Sequence, residues 1–416
     1  MLKSTQARSC SLNSKHINHT RIHITPGAEK TLRSGHPWLF ANSIVQQKGK
    51  GELGDLAVVY DRNDHILGLG LFDPHSPIRV RMIHVGKAQP ITEAWWKSHL
   101  ESAIRRRAGL FDDNTNGFRW LHGENDQWPG LVLDRYSSTL VLKLYTAAWL
   151  PRLDALVKLF VERFSPESLV VRLSKNICSI SENEFHKYDG DILFGPRPEK
   201  SISFLESGLR FEVNVIQGQK TGFFLDQRDN RRRVEDLAGQ REVLNAFSYS
   251  GAFSVYAARG GARSVADLDI SKHALASAKR NFELNTSDSA VRACHHELVQ
   301  ADAFEWLTQN ARKKYDMIIL DPPSLARRES ERQAALRAYH KLSACAAKML
   351  RPQGVLVACS CSAHVTADEF FGVVRQAFSG SNRSVTELQT TAHPADHPAT
   401  FKEAHYLKAI FLTMRT

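Results

Sequence analysis

The sequence predicts an α/β protein: a doubly wound parallel sheet in the carboxy-terminal half, preceded by a strand-rich segment and a mixed α/β segment. Three observations carry this. After residue 200, apolar runs of strand type alternate with helix-length amphipathic stretches, the βα order that implies a parallel sheet. Two of those runs, 315–320 and 354–359, lead directly into Asp321-Pro322-Pro323-Ser324 and Ser360-Cys361-Ser362. Residues 21–86 instead hold short strands separated by turns, such as 56–60, the turn Asp61-Arg62-Asn63-Asp64, then 65–70 and 78–83.

The chain has 416 residues, enough for two or three domains with real cores. Its 42% hydrophobic and 24% charged residues are ordinary for a globular protein. No apolar stretch approaches the ~20 residues of a membrane span, and the polar first twenty residues lack the apolar core of a secretory signal. Six cysteines, at 10, 178, 294, 345, 359 and 361, form no disulfide framework, which fits a reducing cytoplasm. Cys359 and Cys361 have no matching pair of ligands nearby, so no metal is expected.

The formal charge is +11, unevenly spread: residues 1–50 hold eight Lys/Arg against the single acid Glu29. Arg105-Arg106-Arg107 and Arg231-Arg232-Arg233 add two compact clusters. For any one cluster a solvated surface is an equal alternative. Together they point to a polyanion, since neutralised phosphates release counterions.

In the middle segment, 95–107 and 153–164 read as helices and 168–173 as a strand. Residues 131–136 and 139–144 form a hairpin around Ser137-Ser138. No catalytic spacing appears there, and His122 reads as a packed or exposed histidine. Gly195-Pro196-Arg197-Pro198 is a linker candidate, which divides the chain into 21–90, 91–198 and 199–416.

In the last segment, 243–253 reads as strand, tight turn and helix, with Gly251 at the helix start. A glycine there lets a ligand approach the free amides of the helix N-terminus. It is not the Gly-x-Gly-x-x-Gly of dinucleotide enzymes, so no pyrophosphate is demanded. The next strand, 264–269, ends in Asp269, about twenty residues on, where a carboxylate can accept from both ribose hydroxyls. Asp269 is a better candidate than Asp267. Asp302 follows a further strand and could meet an adenine amino group. Each acid could instead cap a helix.

Several stretches carry a family resemblance. Arg33-Ser34-Gly35-His36-Pro37-Trp38 and Gly51-Glu52-Leu53-Gly54-Asp55 resemble the PUA module, a small RNA-binding β-barrel. Gln219-Lys220-Thr221-Gly222-Phe223-Phe224-Leu225-Asp226-Gln227-Arg228 is the most specific string. With 119–126, 245–253, 281–285, Asp321-Pro322-Pro323, Ser360-Cys361-Ser362 and Ala395-Asp396-His397-Pro398, it resembles the PUA-containing class I methyltransferases that make 5-methylcytosine in large-subunit ribosomal RNA. The resemblance covers nearly the whole chain from about residue 21.

The resemblance implies a Rossmann-like methyltransferase sheet, S-adenosylmethionine as cofactor and ribosomal RNA as partner, and it is compatible with a homodimer. It implies that Lys220, Thr221, Gly222, Phe224, Asp226 and Arg228 help enclose the cofactor. Phe247, Tyr249, Gly251, Asp269, Asp302 and Asp321 would line its pocket, with Pro322, Pro323, Asp396 and His397 on the substrate side. Ser324 departs from the family, which has a longer, often basic residue there.

Cytosine carbon 5 is a poor nucleophile until a thiolate adds to carbon 6. Cys361 matches the family's nucleophile, and Asp321 would hold the ring edge near nitrogen 3. Cys359, two residues earlier, is expected to be a buried structural thiol. His364 reads as a loop residue. Two alternatives stay open: a guanine exocyclic-amine methyltransferase, which needs no thiol, and an RNA-binding assembly factor without activity.

Overall fold

A computed structural model describes residues 20–379 and 384–415. Lys3, Arg8, Lys15 and Cys10, and the expectation about a leader segment, lie outside the described residues. The chain divides into two compact units. The first comprises the residues up to Ile202 together with Val213–Phe223, and the second comprises Ser203–Glu212 with Phe224 onward.

The first unit opens with six strands: β1 (Thr20–Ile24), β2 (Trp38–Phe40), β3 (Ile44–Lys48), β4 (Leu56–Tyr60), β5 (Ile66–Phe72) and β6 (Ile78–Val85). They form one sheet in the order β2-β6-β5-β4-β1-β3, antiparallel except for β1 beside β4. Helix α1 (Pro26–Arg33) was not expected among the strands. Its signal was present: Thr25 Oγ1 accepts the Ala28 amide at 3.2 Å, and Pro26 opens the first turn.

Ile22, Leu32, Val59 and Val80 form a core for this sheet. Leu56, Leu69, Leu71 and Ile83 belong to a second core that continues through Trp96 of α2 (Glu93–Arg107) to Trp128, Trp149 and Phe160. That core serves a five-stranded sheet of β7 (Gly117–His122), β8 (Leu131–Tyr136), β9 (Thr139–Leu144), β10 (Ser168–Leu173) and β11 (Ile192–Phe194), with α3 (Leu153–Phe164) and α4 (Lys175–Phe185). The expected hairpin pairs Tyr136 with Thr139. His122 is packed: its Nδ1 accepts from Arg119 at 2.9 Å, and Arg119 grips Asp134 through two bonds of 2.7 and 2.9 Å.

The second unit begins with Ser203–Glu212, which forms all but the outer ends of the hairpin of β12 (Ile202–Glu206) and β13 (Leu209–Val213). Then come α5 (Arg228–Leu237), β14 (Glu242–Ala246), α6 (Ala252–Arg259), β15 (Ser264–Asp269), α7 (Lys272–Glu283), α8 (Ser289–Ala293), β16 (His295–Gln300), α9 (Ala303–Gln309) and β17 (Tyr315–Leu320). The chain continues through α10 (Arg332–Met349), β18 (Leu350–Ser360), α11 (Ala367–Ser379), β19 (Val385–Thr391) and β20 (Lys408–Met414). The seven-stranded sheet has the order β16-β15-β14-β17-β18-β20-β19. The first five strands run parallel, and β20 runs antiparallel to both its neighbours. Strand order reverses between β14 and β17, so the ligand crevice falls at their carboxyl ends.

The stretch 281–285 has a structural use. Asn281 Oδ1 accepts the Glu212 amide and Asn285 Oδ1 the Arg210 amide, both at 2.8 Å, while Asn281 Nδ2 donates to the Ser250 carbonyl at 2.9 Å. Two side-chain amides thus tie the β12–β13 hairpin and the turn after β14 to α7 and the turn that follows it.

Candidate active site

Every strand of the parallel set contributes a side chain or a turn at its carboxyl end. After β14 the chain turns through Phe247 (φ +62°), Tyr249 (φ +48°) and Gly251 (φ +71°), all left-handed. Such backbone persists in non-glycine residues only where its surroundings hold it. Here Asp269, ending β15, accepts the Tyr249 amide on Oδ2 at 2.9 Å and the Ser271 amide on Oδ1 at 2.8 Å. A Cβ on Gly251 would lie 2.7 Å from Ala278 Cβ and 3.0 Å from Asp267 Oδ2, so only glycine fits.

Asp269 is partly exposed, and each of its oxygens keeps acceptor capacity beyond its one amide. That is a fit for a ribose diol. Asp267 is fully buried and engaged with Asn245, Ser254 and His296, which removes it as a ribose ligand. Ile270, next to Asp269, is 66% exposed, an apolar surface beside the acid that the sequence reading did not single out. Asp302 caps α9, accepting the Phe304 and Glu305 amides at 2.8 and 3.1 Å, and stays partly exposed. The cap occupies Oδ1 alone, so it coexists with the expected contact to an adenine amino group.

Asp321 follows β17 and Cys361 follows β18, adjacent parallel strands in register from Met317↔Val355 to Leu320↔Ala358. Both residues are partly exposed, whereas Cys359 is buried. Burial, with the charge of Asp321, pushes the Cys359 thiol well above its ordinary range, so it is the structural thiol expected. His364 lies on the loop and pairs with Glu329 at 3.4 Å.

The two strand-end loops are joined through one hydroxyl. Ser362 Oγ accepts the Leu325 and Ala326 amides at 3.1 and 3.2 Å and lies 3.3 Å from Ser324 Oγ and 3.0 Å from Tyr339 OH. Ser360 Oγ donates to Tyr339 OH at 2.9 Å. The serines flanking Cys361 thus fix its loop, and small Ser324 reaches a partner that a long basic residue would not serve in the same way. Burial pushes the Tyr339 phenol up to about 12, against the opposing effect of its bonds to Ser360 and Ser362, so it stays a neutral link in the network.

Gln227 was also missed, although it lies within the most specific string. Its Nε2 donates to Asp321 Oδ1 at 2.9 Å, and its Oε1 accepts from Asn230 Nδ2 at 2.5 Å. The carboxylate of Asp321 is thereby aimed by a fixed amide.

Among the expected residues of the second unit, Phe224, Phe247, Tyr249, Asp269, Asp302, Asp321 and Cys361 are partly exposed, and Pro323 is exposed. Phe224 stacks edge-on against Tyr249 at 5.2 Å. Pro322, Asp226, Arg228, Asp396 and His397 are buried. Asp226 Oδ2 accepts from Tyr406 OH at 2.9 Å. Arg228, 2% exposed, pairs with Asp396 at 3.1 Å and with Glu206 at 3.4 Å, while Arg231 binds both oxygens of Glu206 at 2.8 Å. In this structure Asp396 and Arg228 close a buried ion-pair network, and Asp396 and His397 present no surface to a base. Lys220, Thr221 and Gly222 belong to the first unit, where Thr221 Oγ1 donates to Asp134 at 2.6 Å.

The arginine clusters need correction. Arg107 is 3% exposed and binds Asp126 at 2.7 Å, Arg106 shares that carboxylate, and Arg231 is buried as above. Two of these six charges, Arg107 and Arg231, are internal counter-ions, because the acids that pair with them lie far off in sequence.

A turn held by a partly exposed carboxylate, with an acid and a thiol on neighbouring strand ends, is an arrangement compatible with a transferase that takes a nucleotide cofactor. The chain belongs to the S-adenosylmethionine-dependent methyltransferase family, whose profile matches residues 122–410, and a PUA-like domain profile matches residues 22–84. It is 52% identical over 401 residues to the "Ribosomal RNA large subunit methyltransferase" of Deinococcus radiodurans, covering 95% of this chain and 97% of that one. Identity to the "Ribosomal RNA large subunit methyltransferase I" of Aliivibrio fischeri is 34% over 392 residues, covering 93% and 97%. Among solved chains, one complexed with SAH superposes with a TM-score of 0.80 at 24% identity, covering 94% and 99%. Another, from Streptococcus mutans, gives 0.78 at 23% identity with the same coverage. Those two likenesses are of fold. S-adenosylmethionine is the cofactor.

Proposed function

We propose that this enzyme methylates carbon 5 of a cytosine in large-subunit ribosomal RNA, in the cytoplasm, through a covalent adduct to Cys361. The observation that carries the proposal is the pairing of a partly exposed thiol and a partly exposed carboxylate on adjacent parallel strand ends, with their loops bonded through Ser362. The names of the two relatives above support the RNA class. The cofactor, when bound, supplies the methyl group.

The residues of the chain do the rest. The Cys361 thiolate adds to carbon 6, and the electron pair displaced toward carbon 5 makes it nucleophilic. Asp321, aimed by Gln227, holds the ring edge and carries the proton that nitrogen 3 accepts as negative charge develops there. After methyl transfer a base takes the carbon 5 proton, the C–H electron pair re-forms the C5=C6 bond, and the carbon–sulfur bond breaks, restoring the aromatic ring and the thiolate. In the first unit, β1 sets Arg21 opposite Lys48 of β3, and Arg21 lies 4.5 Å from the Tyr60 ring centroid. Basic groups with an aromatic platform suit a phosphate backbone with an unstacked base.

Ribosomal RNA carrying 5-fluorocytosine tests the chemistry, since fluorine on carbon 5 cannot leave as a proton. On denaturing gels the unsubstituted enzyme and Cys359→Ala should shift with the RNA, and Cys361→Ala should not. A Cys361→Ala enzyme that still forms 5-methylcytosine at near the unsubstituted rate would sink the covalent mechanism and favour an amino-group reaction.

A further inference from the structure

Lys408 opens β20 directly opposite Ser360 in the β18–β20 register, one residue from Cys361. A lysine leading an otherwise apolar strand is commonly solvated at the sheet's end. This one is 2% exposed. Its ammonium donates to the Ser362 carbonyl at 2.7 Å and also to that of Val365, the loop that carries the thiol. Two carbonyl dipoles do not neutralise a buried cation, and such a charge is costly without an anion. Among the described residues Lys408 makes no ion pair with a carboxylate.

The charged and titratable groups around it narrow the choice of anion. Glu369, on α11, is bound by Arg332 and by the Thr366 amide and hydroxyl. Asp321, after β17, is held by Gln227. Tyr339 of α10 is neutral and committed to two serines, Cys359 is buried within β18, and His364 is paired with Glu329. Burial lowers the Lys408 ammonium to about 8, and Cys361 is the foremost charge acting in the opposite direction, ahead of Glu369.

We propose that Lys408 is the counter-ion of the Cys361 thiolate, and that it fixes the thiol's loop through the Ser362 and Val365 carbonyls. The thiol gives its proton to solvent, and the ammonium then faces an anion. Lys408 acts through Cys361 and is a positioning residue. The functional meaning of the thiolate rests on the proposed reaction, but the pairing itself does not.

The test is the pH dependence of iodoacetamide alkylation at Cys361 in the full-length protein. It is run without RNA or cofactor, so that neither the base nor the sulfonium contributes. Fragment masses separate Cys361 from Cys359. Cys361 should half-titrate at least one pH unit below the ordinary thiol value of about 8.5. Lys408→Met should slow its alkylation at pH 7 about tenfold or more, and Lys408→Arg should recover most of that loss. SAH binding by calorimetry reports whether each variant is folded. An unsubstituted Cys361 that titrates at or above about 8.5 overturns the pairing, whatever the variants do. So does a folded Lys408→Met protein with an unchanged profile. If Lys408→Met does not fold, the unsubstituted profile decides. A low thiol pKa without a 5-fluorocytosine adduct would keep the pair and reject the proposed reaction, and an adduct with an ordinary thiol would do the reverse.

Discussion

Replacing Asp269 with alanine should weaken SAH binding by about 2–4 kcal/mol, roughly 30- to 1000-fold in Kd. The magnitude comes from two contributions. A carboxylate that accepts from a ligand hydroxyl contributes about 1.5–3 kcal/mol, because the bond is charge-assisted. The same side chain also holds the Tyr249 and Ser271 amides at 2.9 and 2.8 Å, which keeps the left-handed turn at Phe247 and Tyr249 in place. Without it the turn relaxes, and binding must restore it at an ordering cost of about 1 kcal/mol in all. Titration calorimetry with SAH, alongside circular dichroism to confirm folding, measures the change. Asp269→Asn retains one acceptor oxygen and should fall between the two. A Kd for Asp269→Ala within threefold of the unsubstituted value would refute the argument. Because Asp267 is sealed in its own network, no neighbouring acid could then rescue it.

Two further outcomes follow from the geometry. Gly251→Ala forces a side chain into a left-handed position against Ala278, costing about 2–5 kcal/mol; the second unit's melting temperature should drop by roughly 5–15 °C by scanning calorimetry, and a drop under about 2 °C would contradict the packing. Burial, with the nearby His397, lowers His393 to about 4, and its Nε2 accepts the Leu407 amide at 3.1 Å. The unfolded chain therefore takes up this proton between pH 6.5 and 4 while the folded chain resists it, so the stability it contributes is full above pH 6.5 and lost as pH falls. Between pH 7 and 4.5 the unsubstituted protein should lose about 2 kcal/mol more than His393→Gln in guanidinium unfolding; equal losses would show that the histidine is not linked to folding.

How far the sequence was readable depended on the range of each interaction. Strands such as 168–173 and 264–269 and the helix 153–164 were legible to the residue, because periodicity and breakers are local signals. The positions of Asp269, Asp321 and Cys361 were legible because each directly follows, or ends, a strand. Charge counting failed at Arg107 and Arg231, whose carboxylates lie 19 and 25 residues away. Gln227 and Lys408 were hidden for the same reason: Asp321 is 94 residues from Gln227, and Ser362 is 46 from Lys408. The strand-rich start read as a separable module, yet Leu56, Leu69 and Ile83 share a core with Trp96 and Trp128. Deleting residues 1–90 would expose that core, so the RNA contribution of this region is better probed by surface charge reversal at Arg21 and Lys48.

The division of the chain bears on how this protein is made. The polypeptide leaves the first unit after Ile202, returns to it at Val213, and leaves again after Phe223. An emerging chain therefore cannot finish its first unit until residue 223 has cleared the ribosome, since Tyr136 awaits Thr221 at 3.0 Å. By then Ser203–Glu212, already synthesised, must wait for Asn281 and Asn285 before two of its amides find acceptors. No single cut yields two intact halves. A protease nick between 202 and 224 would leave one piece short of its last segment or the other short of its first hairpin.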